Sequence, residues 1–251
     1  FGTDKGSIDG KKIYEFNYKN KKNINYNEWI QRTDLSEKEF QYGLNSAPFY
    51  EELFYKDRDK QIKILEIGVA NGHSIASWQQ YFYNGLIFGI DRKKISSFFY
   101  RSKRIKYKQV DIFNKKQIIN FLNNFKFFDY IIDDSLHEEE AIIKNLINFF
   151  PSLKKGGVYF IEDFKGVDYF KKKVRDFNEK NSGKYMLSSP HTIREILNFL
   201  NDKNHFKSPF INEENQTYLF DQIEKVKIYD PEEKYKIAHP LAAIGAIYKK
   251  K

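Results

Sequence analysis

Short apolar runs alternate with amphipathic segments along most of the chain, and this alternation predicts the secondary structure. The apolar runs predict buried strands at 62–67, 86–90, 105–110, 128–132 and 158–161. Helical spacing of apolar residues predicts helices at 45–55, 74–82, 115–125, 138–150, 167–178 and 192–200. We predict Ser189 as the N-cap of the last helix, with Pro190 at its first position. Two further strands are predicted at 225–229 and 242–248, joined by a loop with Pro231 and Pro240.

Strands that alternate with helices are typical of a parallel sheet. We therefore predict an α/β fold, Rossmann-like and doubly wound, with a mostly parallel seven-stranded sheet. Residues 1–55 are predicted as an N-terminal segment with a lead-in helix, and 56–251 as the main domain. The connection at about 164–221 is long for a simple crossover, so we expect it to form a lid or substrate insertion.

Composition narrows the classes of function. The 251 residues include no cysteine, which excludes a disulfide scaffold, thiolate zinc sites, iron–sulfur clusters and cysteine nucleophiles. An aromatic content of 18% excludes general disorder. The net charge of +9 is compatible with a polyanionic or phosphorylated partner, although the lysines are spread along the chain.

Neither a membrane span nor a secretion signal is predicted. No apolar run approaches the roughly 20 residues that a membrane helix needs. The residues from Phe1 to Lys5 lack the charged and then apolar layout of a signal peptide. We therefore expect a cytoplasmic protein. The high aromatic content also makes a homo-oligomer plausible.

Acidic residues follow every predicted strand of the alternating series after the first, and they are the main functional signal. In open parallel sheets, ligands bind beyond the carboxyl ends of the strands. These acids are therefore expected to share one edge of the sheet. They are Asp91, Asp111, the pair Asp133-Asp134 and the pair Glu162-Asp163.

A glycine-containing turn after the first strand indicates a nucleotide-type cofactor. Its sequence from Glu66 to Gly72 is EIGVANG, and glycines permit a tight turn and close approach of a ligand to the backbone. Asp91 ends the next strand, where a carboxylate can accept hydrogen bonds from a ribose diol. Dinucleotide sites share these features, but the G-x-x-x-G spacing and the third acid, Asp111, argue against NAD.

A second group of residues suggests a metal site. Asp134, Glu162 and Asp163 follow strands that are expected to be neighbours, so they could converge on one cation. Carboxylates without a thiolate favour Mg²⁺, Mn²⁺ or Ca²⁺ over zinc. His137 lies near the next helix, and a histidine can take a proton near neutral pH. Singly, such residues are usually solvated acids or a capping histidine, but their coincidence favours a site.

Two stretches carry a resemblance to known families. The turn at 66–72 with Asp91 and Asp111 resembles class I S-adenosylmethionine-dependent methyltransferases. The stretch IIDDSLHEEEAIIKNLINFFPSLKKGGVYFIEDF resembles the metal-dependent sugar O-methyltransferases of the mycinamicin and macrocin type and their cephalosporin-hydroxylase-like relatives. Their pattern is I-D-D-G-S-H, a helix, and F-P-x-L-x-x-G-G-x-Y-x-I-E-D. Gly2 to Lys5 and the helix with Phe49-Tyr50-Glu51 also match, whereas Ser135 and Leu136 replace the family's Gly and Ser.

The resemblance implies a role for each matching residue. Glu66, Gly68 and Gly72 would line the methionine part of S-adenosylmethionine, and Ser74 would reach its carboxylate. Asp91 would hold the ribose and Asp111 the adenine amino group, with Asp133 also assigned to the cofactor site. Asp134, Glu162 and Asp163 would bind Mg²⁺ or Mn²⁺, and His137 would be the general base, with Asp134 beside it in the catalytic group.

These expectations lead to one preferred function and two rivals. We expect an S-adenosylmethionine-dependent, divalent-metal-dependent O-methyltransferase for a carbohydrate hydroxyl, on a nucleotide-linked sugar or a surface-glycan or natural-product precursor. One rival is a methyltransferase for RNA or a small phenol, although we do not expect a nucleic-acid partner because no basic face is evident beyond 171–175. The other is a cofactor-binding module without activity.

Overall fold

The computed structural model of the chain describes residues 47–70, 72–94, 102–180, 187–230 and 243–251. The resemblance at Gly2 to Lys5 and the predicted loop with Pro231 and Pro240 lie outside these residues. The strands are β1 (Lys63–Ile67), β2 (Leu86–Asp91), β3 (Ile105–Gln109), β4 (Phe128–Asp133), β5 (Leu153–Ile161), β6 (Ile223–Tyr229) and β7 (Ile244–Lys249). The α-helices are α1 (Ala47–Phe54), α2 (His73–Tyr81), α3 (Lys115–Asn124), α4 (Glu139–Phe149), α5 (Lys165–Lys180), α6 (Ile193–Asp202) and α7 (Glu213–Gln222). Short 3-10 helices follow α1 at Tyr55–Asp57 and α4 at Phe150–Ser152.

The strands form one seven-stranded sheet in the order β3-β2-β1-β4-β5-β7-β6. Strands β1 to β5 pair in parallel, while β7 runs antiparallel to both β5 and β6. This topology confirms the predicted Rossmann-like, mostly parallel sheet. The order changes direction at β1, which lies between β2 and β4, and a ligand crevice forms at such a point.

Strand register brings the acidic strand ends to the same level. Ile67 at the end of β1 pairs with Ile90 of β2 on one side and with Asp133 of β4 on the other. Asp133 in turn pairs with Ile161 of β5, which directly precedes Glu162. The acids that follow β2, β4 and β5 therefore share one edge of the sheet, as predicted from the sequence.

Two hydrophobic clusters sandwich the sheet, because successive strand residues point to opposite faces. Leu65 and Ile67 belong to the cluster with α3, α4, α6 and α7. Ile64 belongs to the other, which α1 and α2 cover. The second cluster is rich in aromatic rings, several of them from α1.

Strand β5 differs from its prediction, because it begins at Leu153 rather than at Val158. Gly156 has φ +73°, a backbone conformation that glycine adopts without strain. The pairing register shifts between Phe128 and Tyr130 on β4, and this irregularity accommodates the extra residues. The glycine pair thus lies inside the strand instead of preceding it.

The predicted N-cap of α6 is wrong. The N-cap is Thr192, whose hydroxyl accepts a hydrogen bond from the Glu195 backbone N–H at 3.2 Å. The Glu195 carboxylate in turn accepts from the Thr192 N–H at 2.6 Å, which completes a capping box. Ser189 lies upstream and accepts from the His191 N–H.

The connection between β5 and β6 contributes to the main core. Helix α7 was not predicted, although its N-cap Asn212 is a typical start signal and accepts from the Asn215 N–H at 2.9 Å. Ile196, Leu197 and Leu200 of α6 are buried in the cluster with α3 and α4. A lid or substrate role for 164–221 stays a prediction.

Within the described residues, no helix is both long and apolar enough to cross a membrane.

Candidate functional site

A cavity of about 370 Å³ lies at the carboxyl edge of the sheet, a size typical of small-molecule sites. Apolar side chains from the ends of β2 and β3 form part of its wall. Six of the residues predicted for the site line it. They are Gly68, Asp91, Asp111, Asp134, His137 and Asp163.

The turn after β1 packs directly against the loop after β4. The Gly68 N–H donates to the Ile90 carbonyl at 2.9 Å, and the Asp134 N–H donates to the Ile67 carbonyl at 3.0 Å. Gly68 has φ +90°, and a Cβ atom placed there would lie 2.3 Å from the Asp134 carbonyl oxygen. A side chain at this position would therefore force the two loops apart. Gly72, with φ +82°, forms the N-cap of α2.

The cavity wall carries two carboxylates that backbone N–H groups orient. Asp91 accepts at 2.8 Å from the Ala70 N–H through Oδ2 and from the Lys93 N–H through Oδ1. Asp111 accepts from the Phe113 N–H at 2.9 Å. Ala70 itself has φ +45°, a region that residues other than glycine rarely adopt. The strained backbone at Ala70 thus belongs to the residue whose N–H orients the Asp91 carboxylate. This carboxylate can still accept hydrogen bonds from a diol.

Glu66 is buried beneath the same turn. Ser74 donates a hydrogen bond to its Oε1, and the Trp78 indole N–H donates to its Oε2 at 2.7 Å. Burial raises the pKa of Glu66 to about 7, although these two hydrogen bonds lower it. Glu66, Gly72 and Ser74 are described but do not line the cavity, so their predicted contacts with the cofactor have no direct counterpart here.

Asp133 points into the protein interior rather than into the cavity. The Asn145 side-chain amide donates to both of its carboxylate oxygens at 3.1 Å, and the Ser135 and Tyr159 hydroxyls donate at 2.7 and 3.2 Å. Burial raises the pKa of Asp133 to about 6, and these hydrogen bonds partly offset the effect. The structure does not bring Asp133 to the cofactor cavity. Its contacts hold the loop that carries Asp134 and His137.

Asp134, His137 and Asp163 form a cluster with suitable geometry for a metal ion. One nitrogen or oxygen atom from each lies within 4.8 Å of the others. Two ligands of one cation are at most about 4–5 Å apart, so this spacing fits. The distance from His137 Nε2 to Asp134 Oδ1 is 3.7 Å. Asp163 has φ +51°, an uncommon conformation that redirects the chain after β5.

Glu162 adjoins this cluster but does not belong to it. It is 9% exposed, and the Tyr50 hydroxyl donates a hydrogen bond to its Oε1. Burial raises the pKa of Asp134, and the charges of Glu162 and Asp163 raise it further. Burial and the charge of Asp163 likewise raise the pKa of Glu162, whereas the bond from Tyr50 lowers it. Such mutual repulsion is what a divalent cation relieves, so the residues fit a hard metal ion.

Several features of the site were not predicted. The histidine was assigned as a base, but its position in the cluster also allows it to bind metal. Tyr50 was noted only as part of a helix, and its contact spans 112 positions of sequence, which no local pattern reveals. Asn145 was assigned to an amphipathic helix without a role. Phe113 and Leu136 line the cavity and are 46% and 39% exposed.

Comparisons of sequence confirm the resemblance to sugar O-methyltransferases. Demethylmacrocin O-methyltransferase of Streptomyces fradiae is 29% identical over 124 residues, which are 47% of this chain and 31% of that protein. Mycinamicin VI 2''-O-methyltransferase of Micromonospora griseorubida is 30% identical over 124 residues, with the same coverage. A rhamnosyl tetracenomycin-C 2'-O-methyltransferase of Streptomyces olivaceus is 29% identical over 123 residues, 46% of this chain and 32% of that protein.

The match is partial in each case. The chain spans about a third of the length of these curated relatives. No family model matches it.

Comparison of structures supports the fold assignment. The MycE methyltransferase from the mycinamycin biosynthetic pathway, solved with Mg, SAH and mycinamycin VI, superposes with a TM-score of 0.60. It is 21% identical, and the match covers 88% of this chain and 56% of that one. A crystal form with Mg and SAH gives a TM-score of 0.59 over 81% of this chain and 49% of that one. The chain therefore has the α/β fold of this methyltransferase.

We predict that Gly68→Ala lowers the free energy of unfolding by clearly more than Gly156→Ala. Both glycines have positive φ, so both variants carry the backbone penalty of roughly 1–2 kcal/mol. Only at Gly68 would the new Cβ meet backbone atoms, whereas at Gly156 it meets a Lys251 side-chain carbon at 3.6 Å. Urea denaturation of the two variants measures the difference, and equal losses would contradict the steric argument.

Proposed function

We propose that this protein transfers a methyl group from S-adenosylmethionine to a carbohydrate hydroxyl, and that it requires a divalent cation. One observation carries the proposal. A single cavity is lined by Gly68, Asp91 and Asp111 at the β1–β3 end and by the Asp134–His137–Asp163 cluster beyond β4 and β5. Cofactor residues and metal residues would therefore serve the same reaction.

The cofactor part of the proposal rests on two fixed carboxylates. In this proposal Asp91 accepts hydrogen bonds from the ribose diol and Asp111 from the adenine amino group. Both side chains are already oriented by backbone N–H groups, so little ordering is needed on binding. In this proposal Gly68 lines the methionine end of the cavity, and Glu66 and Ser74, which are hydrogen-bonded to each other, support the turn from beneath.

In the metal part of the proposal, Asp134 and Asp163 of the cluster bind Mg²⁺ or Mn²⁺ together with Glu162, which adjoins the cluster. Carboxylate oxygens suit these hard cations. When bound, S-adenosylmethionine would supply the methyl group, and a cation held by these residues would lower the pKa of the acceptor hydroxyl. His137 accepts the proton from that hydroxyl, and Asp134, 3.7 Å from its Nε2, stabilises the charge that the imidazole gains.

The class of acceptor is inferred from the relatives. Their names specify hydroxyls of sugars attached to natural products, such as the 2'' position for mycinamicin VI and a rhamnosyl group for tetracenomycin-C. A net charge of +9 further favours a nucleotide-linked sugar or another anionic glycan precursor. Helix α5 starts two residues after Asp163, so the segment 164–221 is well placed to shape the acceptor site.

Location and assembly complete the proposal. We propose a cytoplasmic protein that forms a homo-oligomer. Tyr169, Phe170 and Phe177 of α5 are 58%, 64% and 41% exposed, and exposed aromatic side chains on one helix are typical of interfaces.

We predict metal-dependent methyl transfer into at least one member of a panel of nucleotide sugars and glycan precursors. Labelled S-adenosylmethionine measures the transfer. Excess EDTA should abolish it, because carboxylates alone cannot activate the hydroxyl, and added Mg²⁺ or Mn²⁺ should restore it. Transfer that persists in EDTA would reject the metal site, and transfer only into RNA or a phenol would reject the acceptor class.

We predict that Asp91→Ala weakens S-adenosylmethionine binding by about 1–3 kcal/mol, because the diol hydroxyls lose their acceptor. Calorimetry measures the affinity. Asp221→Ala is the matched control, since it removes an exposed acid from α7. Equal affinity for Asp91→Ala and the parent would reject this placement of the ribose.

We predict that His137→Ala lowers turnover by roughly 10²–10⁴, because the acceptor hydroxyl loses its general base. Its affinity for Mn²⁺ should match that of the parent. Asp134→Asn should instead weaken Mn²⁺ binding, so that extra metal partly restores turnover, because an amide oxygen lacks the charge that holds a hard cation. A loss of Mn²⁺ affinity in His137→Ala would make the imidazole a ligand rather than the base.

A further inference from the structure

Tyr50 connects the first described helix to the candidate metal site. It lies on α1, is 2% exposed, and donates a hydrogen bond from its hydroxyl to Glu162 Oε1. Glu162 directly follows β5 and lies 112 positions after Tyr50 in the sequence. The contact therefore joins the lead-in segment to a residue that the proposed function assigns to the cation.

Four aromatic rings contact the Tyr50 ring and fix its orientation, and one of them is Phe49, edge to face at 5.8 Å. Phe54 stacks on it at 5.2 Å, and Trp78 and Phe160 meet it edge to face at 5.1 and 5.4 Å. Phe160 lies on β5, two positions before Glu162. The strand that carries the carboxylate therefore also packs against the ring that supports it, so the hydroxyl has little freedom to leave Glu162.

Trp78, in the same aromatic cluster, also donates a hydrogen bond to an acid at this edge of the sheet. The Trp78 indole N–H donates to Glu66 Oε2 at 2.7 Å, and the Trp78 ring contacts Tyr50. Two touching aromatic side chains thus each support one acid at the carboxyl edge of the sheet. Glu66 is assigned to the cofactor and Glu162 to the metal, so the aromatic cluster lies under both parts of the proposed site.

We propose that Tyr50 is a positioning residue for the divalent cation, because its hydroxyl fixes the Glu162 carboxylate beside Asp134 and Asp163. Hydrogen bonds to a ligating carboxylate set its direction and increase metal affinity. An O–H donor also stabilises the ionised carboxylate more strongly than the protonated carboxylic acid. Within the described residues, Tyr50 is the hydrogen-bond donor to this carboxylate, and Oε2 has no such partner. Glu162 can therefore hold Tyr50 through one oxygen and a cation through the other.

This inference rests on the metal site of the proposed function. Its rival is that Tyr50 is a buried tyrosine whose hydroxyl simply needs an acceptor. The rival predicts that loss of the hydroxyl changes stability but not metal binding. Measuring the binding of Mn²⁺ alone to the full chain separates the two, because it requires neither cofactor nor acceptor.

The test compares Tyr50→Phe with Tyr130→Phe. Tyr130 is a matched control because it belongs to the same aromatic cluster, contacts Phe54 at 4.6 Å and donates its hydroxyl to a carboxylate, that of Asp57. Electron paramagnetic resonance of free Mn²⁺ gives the dissociation constants. Tyr50→Phe should weaken binding by about 10–100-fold, and Tyr130→Phe should leave it unchanged.

A double-mutant cycle tests whether Tyr50 acts through Glu162. In a Glu162→Ala background, adding Tyr50→Phe should change the Mn²⁺ dissociation constant by less than about twofold, because no carboxylate remains to position. Equal effects of Tyr50→Phe with and without Glu162 would overturn the inference. So would unchanged binding in Tyr50→Phe, an outcome that leaves the metal site of the proposed function in place. If the parent chain binds no Mn²⁺, the proposed metal site fails and this inference fails with it.

Discussion

Burial of carboxylates at one edge of the parallel sheet, together with repulsion between Asp134, Glu162 and Asp163, is the constraint on which the rest of the site depends. Five acids lie at or just beyond the carboxyl ends of the three neighbouring strands β1, β4 and β5: Glu66, Asp133, Asp134, Glu162 and Asp163. Burial raises the pKa of the first four, and the charges of Glu162 and Asp163 add to the shift at Asp134. A buried carboxylate is costly unless donors or a cation stabilise it. The fold must therefore supply hydrogen-bond donors at this edge, and an acid without such donors is one that a cation could stabilise.

Residues on the two faces of the sheet supply these hydrogen-bond donors. Some of the acids accept bonds from them, and the others remain available to a cation. Trp78 and Tyr50, from the cluster under α1 and α2, donate to Glu66 and Glu162. The opposite face holds Asp133 through Asn145. At Asp134, by contrast, the side chain of the described residues that lies within ion-pair distance of the carboxylate is His137, at 3.7 Å. Among the described residues, Asp134 therefore lacks the side-chain hydrogen-bond donors that support Glu66, Asp133 and Glu162.

Sequence reasoning could place the acids at one edge but could not say which way each side chain points. The order of strands and helices is enough to place the acids at one edge, because the carboxyl ends of parallel strands lie at the same edge of a sheet. The direction of each side chain depends on the position of the strand end to within one residue. Asp133 is the last residue of β4 and faces the interior, whereas Asp134 follows it and lines the cavity. Alternation reverses the side with each residue, so a strand end misplaced by one position exchanges their roles.

Contacts between distant segments were beyond sequence reasoning for a different reason. The bond from Tyr50 to Glu162 depends on how α1 packs across β5, and the α1 sequence shows only an apolar face. The same holds for α6, where Ser189 and Thr192 are both good caps by type. Only the position of Glu195, whose carboxylate completes the capping box, distinguishes them. That spacing is visible in the sequence and could have corrected the prediction.

Ser135 stands where the sugar O-methyltransferase pattern that this chain resembles has a glycine, and it illustrates how the loop after β4 tolerates change. Close packing of this loop on the β1 turn requires that one side lack a Cβ atom, and Gly68 meets that need, since a Cβ there would also lie 2.6 Å from the Ser135 Cα. The Ser135 hydroxyl instead donates to Asp133 at 2.7 Å and accepts from Asn145 at 2.9 Å. The extra side chain therefore adds a connection between the buried acid and α4. Ser135 also lines the cavity together with Asp134 and His137, so its side chain fits this loop without displacing either residue from the candidate site.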